Sequence, residues 1–374
     1  MKKIISLSLL SFISILLLVC SQATNSSNSS PDKVQYKQLL IGTAGNIPMI
    51  DGVVLGTGRN DKIRRIYTTR GWDNNSGYEY SFTGNEWISN TTFSADIYCS
   101  SPVISDLKKE GTNSLYLGGW NESGVLMLKY KDTWTEPKIL PESKGKGIIL
   151  AMLSGNGRND GINRLYVAHW SDNGLIEYSW NGSKFIAVQL MNKSVGRFSI
   201  GRGRNDGINR IYAVERGGSD LHEFTWTGKK YVDKVIFTGS DSNGTVYVAD
   251  GRGDRVNRLY VWSGSLFELT YQNGQWTPLV LDKDNVERYY IISGSIRKDN
   301  QPGVYVSVKK HGLYEYIWSK LQNKFNVDVI TGATGGCCIG DGRGDGRNRL
   351  YVANGTKKHY SKAAVVEISD DSQE

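Results

Sequence analysis

The stretch from Gly155 to Val167 reads GNGRNDGINRLYV, and the same pattern returns as GRGRNDGINRIYA from Gly201 to Ala213. Further copies, two of them divergent, align on a tyrosine near the end of the pattern. The seven aligned tyrosines are Tyr67, Tyr116, Tyr166, Tyr212, Tyr260, Tyr305 and Tyr351. Their spacing of 45 to 50 residues indicates that the chain is an array of seven copies of one structural unit.

The third repeat contains four short segments typical of β-strands. An apolar run at 148–153 precedes the motif, and β-rich segments follow at 164–168, 175–180 and 185–190. An Asn-Gly pair separates the last two segments, which indicates a β-hairpin. No repeat shows helical periodicity. Four strands in every repeat predict an all-β fold, a seven-bladed β-propeller with four-stranded blades; an open solenoid is the alternative.

The two ends of the array are complementary. A spare strand is predicted at 36–41, before the first complete repeat, whereas the last repeat stops after its third strand at 364–369. If the N-terminal strand joins the last blade, the ring closes and no sheet edge stays exposed. The propeller is therefore predicted to span 36–369, with a tail at 370–374.

The residues before the propeller have the composition of an export signal. Residues 1–20 combine two lysines with an apolar run that ends at Cys20, as in a bacterial lipoprotein signal. Cleavage after Ala23 is the alternative. Residues 21–35 are polar and rich in Ser and Asn, which predicts a flexible tether. We expect an exported protein of the cell envelope, joined to the membrane only by a lipid at Cys20, or otherwise secreted.

Composition supports a strand-rich fold. The chain has 43 Gly, 21 Tyr and 10 Trp but only 7 Pro, which favours short strands and tight turns over a helical bundle. The 45 Lys and Arg exceed the 37 Asp and Glu by eight, but no run of five basic residues occurs. Nucleic acid is therefore not an expected partner.

The repeated motif resembles the FG-GAP/VCBS propeller repeat, whose turn reads Asp-x-Asp-x-Asp-Gly-x-x-Asp before an apolar strand. The last copy carries Asp341, Arg343, Asp345 and Gly346 at the first, third, fifth and sixth positions, and Arg349 at the ninth. The resemblance implies a propeller fold and turns that hold Ca²⁺ through carboxylates. Basic residues at the third and ninth positions depart from that pattern.

We therefore predict that a structural Arg–Asp–Arg clamp replaces calcium. The clamp residues in the best copies are Arg158, Asp160 and Arg164, then Arg204, Asp206 and Arg210, then Arg343, Asp345 and Arg349. Calcium stays an alternative where a second carboxylate is present, at Asp106/Glu110, Asp250/Asp254 or Asp341/Asp345. No other cofactor or metal is expected. A glutamate recurs in the third strand of six repeats and is expected to pair with a motif arginine.

The loops on the opposite face of the ring vary between repeats, and function usually resides in such loops. These loops, or the strand ends beside them, contain the predicted ligand-binding residues Trp72, Trp120, His169, Trp170, Arg197, Trp262, Arg288 and Tyr289. Aromatic rings stack on sugar rings, and arginines bind hydroxyls or carboxylates. The tryptophans could instead pack between blades.

The predicted function is a binding module for a carbohydrate or cell-envelope polymer. A protein–protein interaction scaffold is one alternative, and a polysaccharide-active lyase is another. No catalytic residues are predicted, because none of the four histidines lies in a known nucleophile or zinc motif. Cys99, Cys337 and Cys338 could be free thiols, and the last two are adjacent and could form a strained disulfide.

Overall fold

The computed structural model describes residues 34–41, 50–70, 76–94, 99–120, 124–241, 243–283, 288–308, 311–354 and 364–370. The predicted signal at 1–20 and nearly all of the predicted tether lie outside these ranges. Within them, no helix is long and apolar enough to cross a membrane.

The described chain forms seven four-stranded antiparallel sheets. The first strand is β1 (Lys37–Ile41). Blade one contains β2 (Ile50–Gly56), β3 (Arg65–Arg70), β4 (Ser76–Phe82) and β5 (Trp87–Ser94). Blade two contains β6 (Cys99–Ser105), β7 (Ser114–Gly119), β8 (Val125–Leu128) and β9 (Lys138–Ile139), followed by a 3-10 turn at Pro141–Ser143. Blade three contains β10 (Ile149–Gly155), β11 (Arg164–His169), β12 (Leu175–Trp180) and β13 (Phe185–Met191).

The next three blades repeat the same order. Blade four contains β14 (Val195–Gly201), β15 (Arg210–Glu215), β16 (Asp220–Trp226) and β17 (Tyr231–Thr238). Blade five contains β18 (Thr245–Ala249), β19 (Arg258–Trp262), β20 (Leu266–Gln272) and β21 (Gln275–Asp282). Blade six contains β22 (Arg288–Gly294), β23 (Gly303–Val308), β24 (Gly312–Ser319) and β25 (Lys324–Thr331).

Blade seven joins the two ends of the propeller. It contains β26 (Cys337–Gly340), β27 (Arg349–Asn354) and β28 (Ala364–Ser369), and β1 completes it as the outermost strand. The pairing of β1 with β28 runs from Lys37↔Ser369 to Ile41↔Val365. The predicted seven-bladed propeller and its closure by the N-terminal strand are confirmed.

The first strands of the blades form the inner ring. Each contacts the first strand of the next blade, and β26 contacts β2, so the circle is complete. The second strands are buried along nearly their whole length, as in β11, because a neighbouring blade covers each face. The fourth strands, such as β17, lie at the outer edge and are largely exposed.

The hydrophobic core is divided among the seven seams between blades. One cluster joins Tyr116 and Val103 of blade two to Leu165 and Tyr178 of blade three, and another joins Tyr166 of blade three to residues of blade four. All seven repeat tyrosines are at most 1% exposed. The periodic tyrosine therefore marks the buried centre of each seam.

Candidate functional site

The turn between the first and second strands of a blade, here called the motif turn, is held by an Arg–Asp pair. In blade three, Arg164 Nη1 and Nη2 donate to the two carboxylate oxygens of Asp160 at 2.8 and 2.6 Å. The backbone N–H of Ile162 donates to the same carboxylate at 3.1 Å. The Arg164 guanidinium lowers the pKa of Asp160 to about 2. Equivalent pairs are Arg65–Asp61, Arg210–Asp206, Arg258–Asp254 and Arg349–Asp345.

The arginine at the third motif position binds a different carboxylate from the predicted one. Nε and Nη2 of Arg158 donate to the two carboxylate oxygens of Glu177 in the third strand, and the Nε bond is 3.2 Å long. Equivalent pairs are Arg59–Glu79, Arg204–Glu223, Arg252–Glu268 and Arg343–Glu367. The predicted Arg–Asp–Arg clamp is therefore wrong in its pairing, although the expected contact between the strand glutamates and motif arginines is confirmed.

The carboxylate that lies between two guanidiniums is the glutamate. Glu177 is fully buried. The Nη atoms of Arg164 donate to Asp160, and its Nε lies 3.6 Å from the Glu177 carboxylate. The hydroxyls of Tyr166 and Tyr231 donate to Glu177 at 2.8 and 2.6 Å. A buried carboxylate requires this many donors, whereas the half-exposed aspartate is also solvated by water.

The same third-position side chains connect neighbouring blades. The guanidinium carbon of Arg158 lies 4.0 Å from the centre of the Trp226 ring, which ends the third strand of the next blade. Third-position side chains of other blades stack across their seams in the same way, in the pairs Arg59–Tyr130, Lys108–Trp180, Arg204–Tyr271, Arg252–Trp318 and Arg343–Phe82. The last pair spans blades seven and one, so the stacking follows the ring across its closure.

At the seam between blades six and seven, a residue of the N-terminal segment lies beside the third-position arginine, Arg297, and the strand glutamate, Glu315. Tyr36 precedes β1, and its hydroxyl donates to Glu315 together with that of Tyr305. Arg297 stays 3.9 Å from the same carboxylate. Burial raises the pKa of Glu315 despite these donors.

Asparagines also join successive motif turns, a feature that the sequence analysis missed. Asn159 donates to the carbonyl of Asn209 at 3.0 Å and accepts from its N–H at 2.7 Å. Asn209 in turn donates to the carbonyl of Asn156 at 3.0 Å. The pairs Asn60–Asn113 and Asn205–Asn257 are equivalent. The signal was an asparagine at the fourth and eighth motif positions.

The carboxylates proposed as calcium alternatives are engaged by hydrogen-bond donors. Asp341 accepts backbone N–H groups of Gly344, Asp345 and Gly346, and the Asp345 carboxylate accepts both Nη atoms of Arg349. Asp250 and Asp106 accept backbone N–H groups in the same way, Asp254 pairs with Arg258, and Glu110 pairs with Lys129. These contacts are those of structural turns.

The opposite face presents an exposed aromatic and a cation side by side. Trp170 follows β11 and is 47% exposed, and the guanidinium carbon of Arg216 lies 3.7 Å from the centre of its ring. Arg216 follows β15 in the next blade, and Trp120 occupies the same position after β7 and is half-buried. We call Trp170 and Arg216 the rim pair.

Two residues predicted to bind ligand are buried in the fold. Trp262 is 1% exposed and packs in the seam between blades five and six, and His169 is fully buried at the end of β11. Burial lowers the pKa of His169 to about 4. The prediction that these two side chains meet a ligand is therefore wrong. Trp72 and the side chains of Arg288 and Tyr289 lie outside the described part of the structure.

Arg197 and Tyr290 meet near the axis of the ring. Arg197 lies in β14 of blade four and Tyr290 in β22 of blade six, yet the guanidinium carbon is 3.6 Å from the ring centre. Because the contact passes over blade five, both side chains point into the axial space. Cys337 in β26 is half-buried nearby, and burial raises its pKa to about 12. Cys337 and Cys338 carry free thiols rather than a disulfide.

Comparison with solved structures shows propellers of similar size. The chain is similar to BBS1N in a complex with ARL6DN, with 11% identity and a TM-score of 0.56 over 89% of this chain and 96% of that one. It is also similar to YCF48 bound to D1 peptide, with 13% identity and a TM-score of 0.56 over 92% and 98%. An Agrocybe aegerita lectin that recognises non-reducing terminal N-acetylglucosamine has 12% identity and a TM-score of 0.50 over 87% and 91%.

At this level of identity, the similarities show the fold alone. No protein-family model and no curated protein matches this sequence. The resemblance to FG-GAP/VCBS repeats therefore stays a prediction. The solved structures and the seven closed sheets together show that the chain is a seven-bladed β-propeller.

Proposed function

We propose that this propeller is a binding module whose ligand is a carbohydrate or cell-envelope polymer. The observation that carries the proposal is the rim pair, an exposed indole with a guanidinium stacked 3.7 Å from its centre. An exposed indole offers an apolar surface to the C–H groups of a sugar ring, and a guanidinium forks onto a carboxylate. Their combination suits a polymer of acidic sugars.

The position of the rim pair supports binding to an extended chain. Trp120, Trp170 and Arg216 each follow the second strand of blades two, three and four. Equivalent positions in successive blades trace an arc along one face of the ring. Consecutive units of a polymer could therefore contact consecutive blades.

A glycan array and an affinity measurement test this proposal. The wild-type chain should bind acidic glycans, and Trp170→Ala or Arg216→Ala should weaken binding about tenfold each, the value of a lost stacking contact or charge-assisted hydrogen bond. Arg202→Ala is the matched control, because Arg202 is exposed on the motif-turn face of blade four. Unchanged binding in both rim-pair variants would overturn the proposal.

A protein partner is the second candidate function. The outer strands β17, β21 and β25 expose apolar side chains that include Val235, Leu279 and Val329. An outer strand also has an unpaired edge, to which an extended peptide can add a strand. Two of the similar propellers were solved with a protein or peptide. Peptide-library binding that is lost on Val329→Lys but kept in Trp170→Ala would favour this candidate.

We also propose that the protein is exported and joined to the cell envelope by a lipid at Cys20. The apolar run before Cys20 has the composition of a lipoprotein signal, and the polar segment after it has that of a tether. Mass spectrometry of the protein from membranes should find a diacylglyceryl group at Cys20. Cys20→Ser should release the protein from membranes. Cleavage after Ala23 would instead yield an unmodified, secreted chain.

A further inference from the structure

Blade four carries a cluster of side chains that neither the motif turns nor the rim pair uses. His222 and Asp220 lie two residues apart in β16 and therefore point to the same face of the sheet. Glu215 shares this face, because it follows by two residues the Ala213 that pairs with His222. Among the described residues, the ligand atoms of Glu215, Asp220 and His222 all lie within 4.8 Å of one another.

His222 is oriented as a metal-binding histidine would be. Its Nδ1 lies 2.9 and 3.0 Å from the two carboxylate oxygens of Asp233 in β17. A carboxylate on Nδ1 fixes the ring and favours the tautomer whose lone pair is on Nε2. His222 is only 6% exposed, and its Nε2 has no hydrogen-bond partner. That atom points towards Glu215, whose Oε2 is 3.7 Å away.

We propose that Glu215, Asp220 and His222 bind one divalent cation of the Zn²⁺ or Mn²⁺ class. One imidazole nitrogen and two carboxylates are a donor set for such cations rather than for Ca²⁺, which prefers six or more oxygen ligands. Bonds of about 2.0–2.2 Å bring the ligand atoms closer than they are here, and a small movement of the two carboxylates achieves this. Water completes the coordination.

Two neighbours contact the proposed ligands, and they have opposite effects on cation binding. Thr238 donates to Asp220 at 2.7 Å and orients that carboxylate as a residue outside the coordination sphere does. Lys193 Nζ lies 2.8 Å from Glu215 Oε2, but its side chain is 56% exposed and can move into water. Lys193 therefore competes with the cation for the same oxygen. The site does not depend on the proposed function of the rim pair.

Calorimetric titration of the metal-free full-length chain with Zn²⁺ and Mn²⁺ tests the site. We expect the wild-type chain to bind one ion saturably. His222→Gln and Glu215→Gln should each lower the affinity at least about 100-fold, and Asp233→Asn should lower it about 10- to 100-fold. His311→Gln is the matched control, because His311 is exposed in blade six. Lys193→Gln should bind more tightly than wild type.

The alternative is that His222 is a protonated histidine bridging Asp233 and Glu215. In that case wild type shows no saturable binding of either ion, or His222→Gln and His311→Gln bind alike, and either result overturns the proposal. If His222→Gln fails to fold, the Lys193→Gln and Asp233→Asn variants decide. Opposite changes in their affinity support the site, and unchanged affinity in both refutes it.

Discussion

The two acidic residues of each repeat differ in what surrounds them. Asp206 lies at the surface, where it caps its own turn and forks with Arg210, while Glu223 is almost fully buried beneath Arg204. The sequence could not separate these roles, because both carboxylates are compatible with both arginines. The structure separates them: the third-position arginine reaches the glutamate of the third strand and stacks on an aromatic ring of the next blade.

Removal of one turn aspartate should weaken the fold modestly. Asp206→Ala leaves the 5% exposed Arg210 without its bidentate partner. We expect a loss of about 1–2 kcal/mol in the free energy of unfolding, which lowers the melting temperature by a few degrees. Calorimetry measures the change, and Asp172→Ala, an exposed residue in a loop of blade three, is the control. Equal melting temperatures in the two variants would contradict the structural role.

Protonation of the turn aspartates should also lower the free energy of unfolding at acid pH. Their pKa values lie below the unfolded value of about 3.9, and those of Asp160, Asp254 and Asp345 fall to about 2 because of their arginine partners. The stabilisation is therefore complete above about pH 5 and is lost as the pH falls towards 2. Denaturant titrations between pH 5 and 2 should show this loss, and Asp160→Asn should show a smaller one. An identical pH dependence in that variant would contradict the assignment.

At the level of the element, the third-position cation and the strand carboxylate of a blade change together, while the aromatic ring of the next blade is kept. Blade two has Lys108 where five blades have an arginine paired with a strand glutamate, and Met127 where they have the glutamate. Lys108 still stacks on Trp180, 4.5 Å from the ring centre. The repeat thus exists in one version with a strand carboxylate beside the third-position cation and in another version without it.

A double-mutant cycle that gives blade three the third-position residue and the strand residue of blade two tests this coupling. Glu177→Met alone leaves Arg158 and Arg164 without their buried carboxylate and should cost about 3–5 kcal/mol. Arg158→Lys alone should cost less, since the charge stays although the fork is lost. The double variant should be at least about 1 kcal/mol more stable than the sum of the single effects predicts. Denaturant unfolding measures all four proteins, and strict additivity would show that the two residues are independent.

The strands were predictable because the repeat supplies the register. The predicted strands of the third repeat agree with β10 to β13 to within two residues. The ligand-binding residues were less predictable, because loop membership does not fix burial. Trp262 lies two residues after Tyr260 and so shares its buried face, whereas Trp170 lies four residues after Tyr166 and beyond the end of β11. Counting from the repeat tyrosine would have separated them.

For the whole molecule, the central question is what holds the ring closed. The β1–β28 ladder completes blade seven. Across the seam between blades seven and one, Arg343 stacks on Phe82, and a hydrophobic cluster joins Ile41 and Tyr351 to residues of blade one. Tyr36 adds a hydrogen bond to Glu315 in blade six. The N-terminal strand thus contacts elements more than 270 residues away in sequence.

Deletion of this strand should therefore open the ring. In a chain that starts at residue 42, β28 loses its partner strand and becomes an exposed sheet edge, and Ile41 is missing from the core. Because an exposed apolar edge pairs with another chain, we expect a lower melting temperature and dimers or larger assemblies in size-exclusion chromatography. A chain that starts at residue 35 keeps β1 and should behave as the full propeller does, since residues 35–374 form one compact unit. If the chain that starts at residue 42 were a monomer of unchanged stability, the contacts between blades alone would close the ring. If a synthetic peptide of residues 35–41 restored the melting temperature of that chain, the N-terminal strand itself would be what closes the ring.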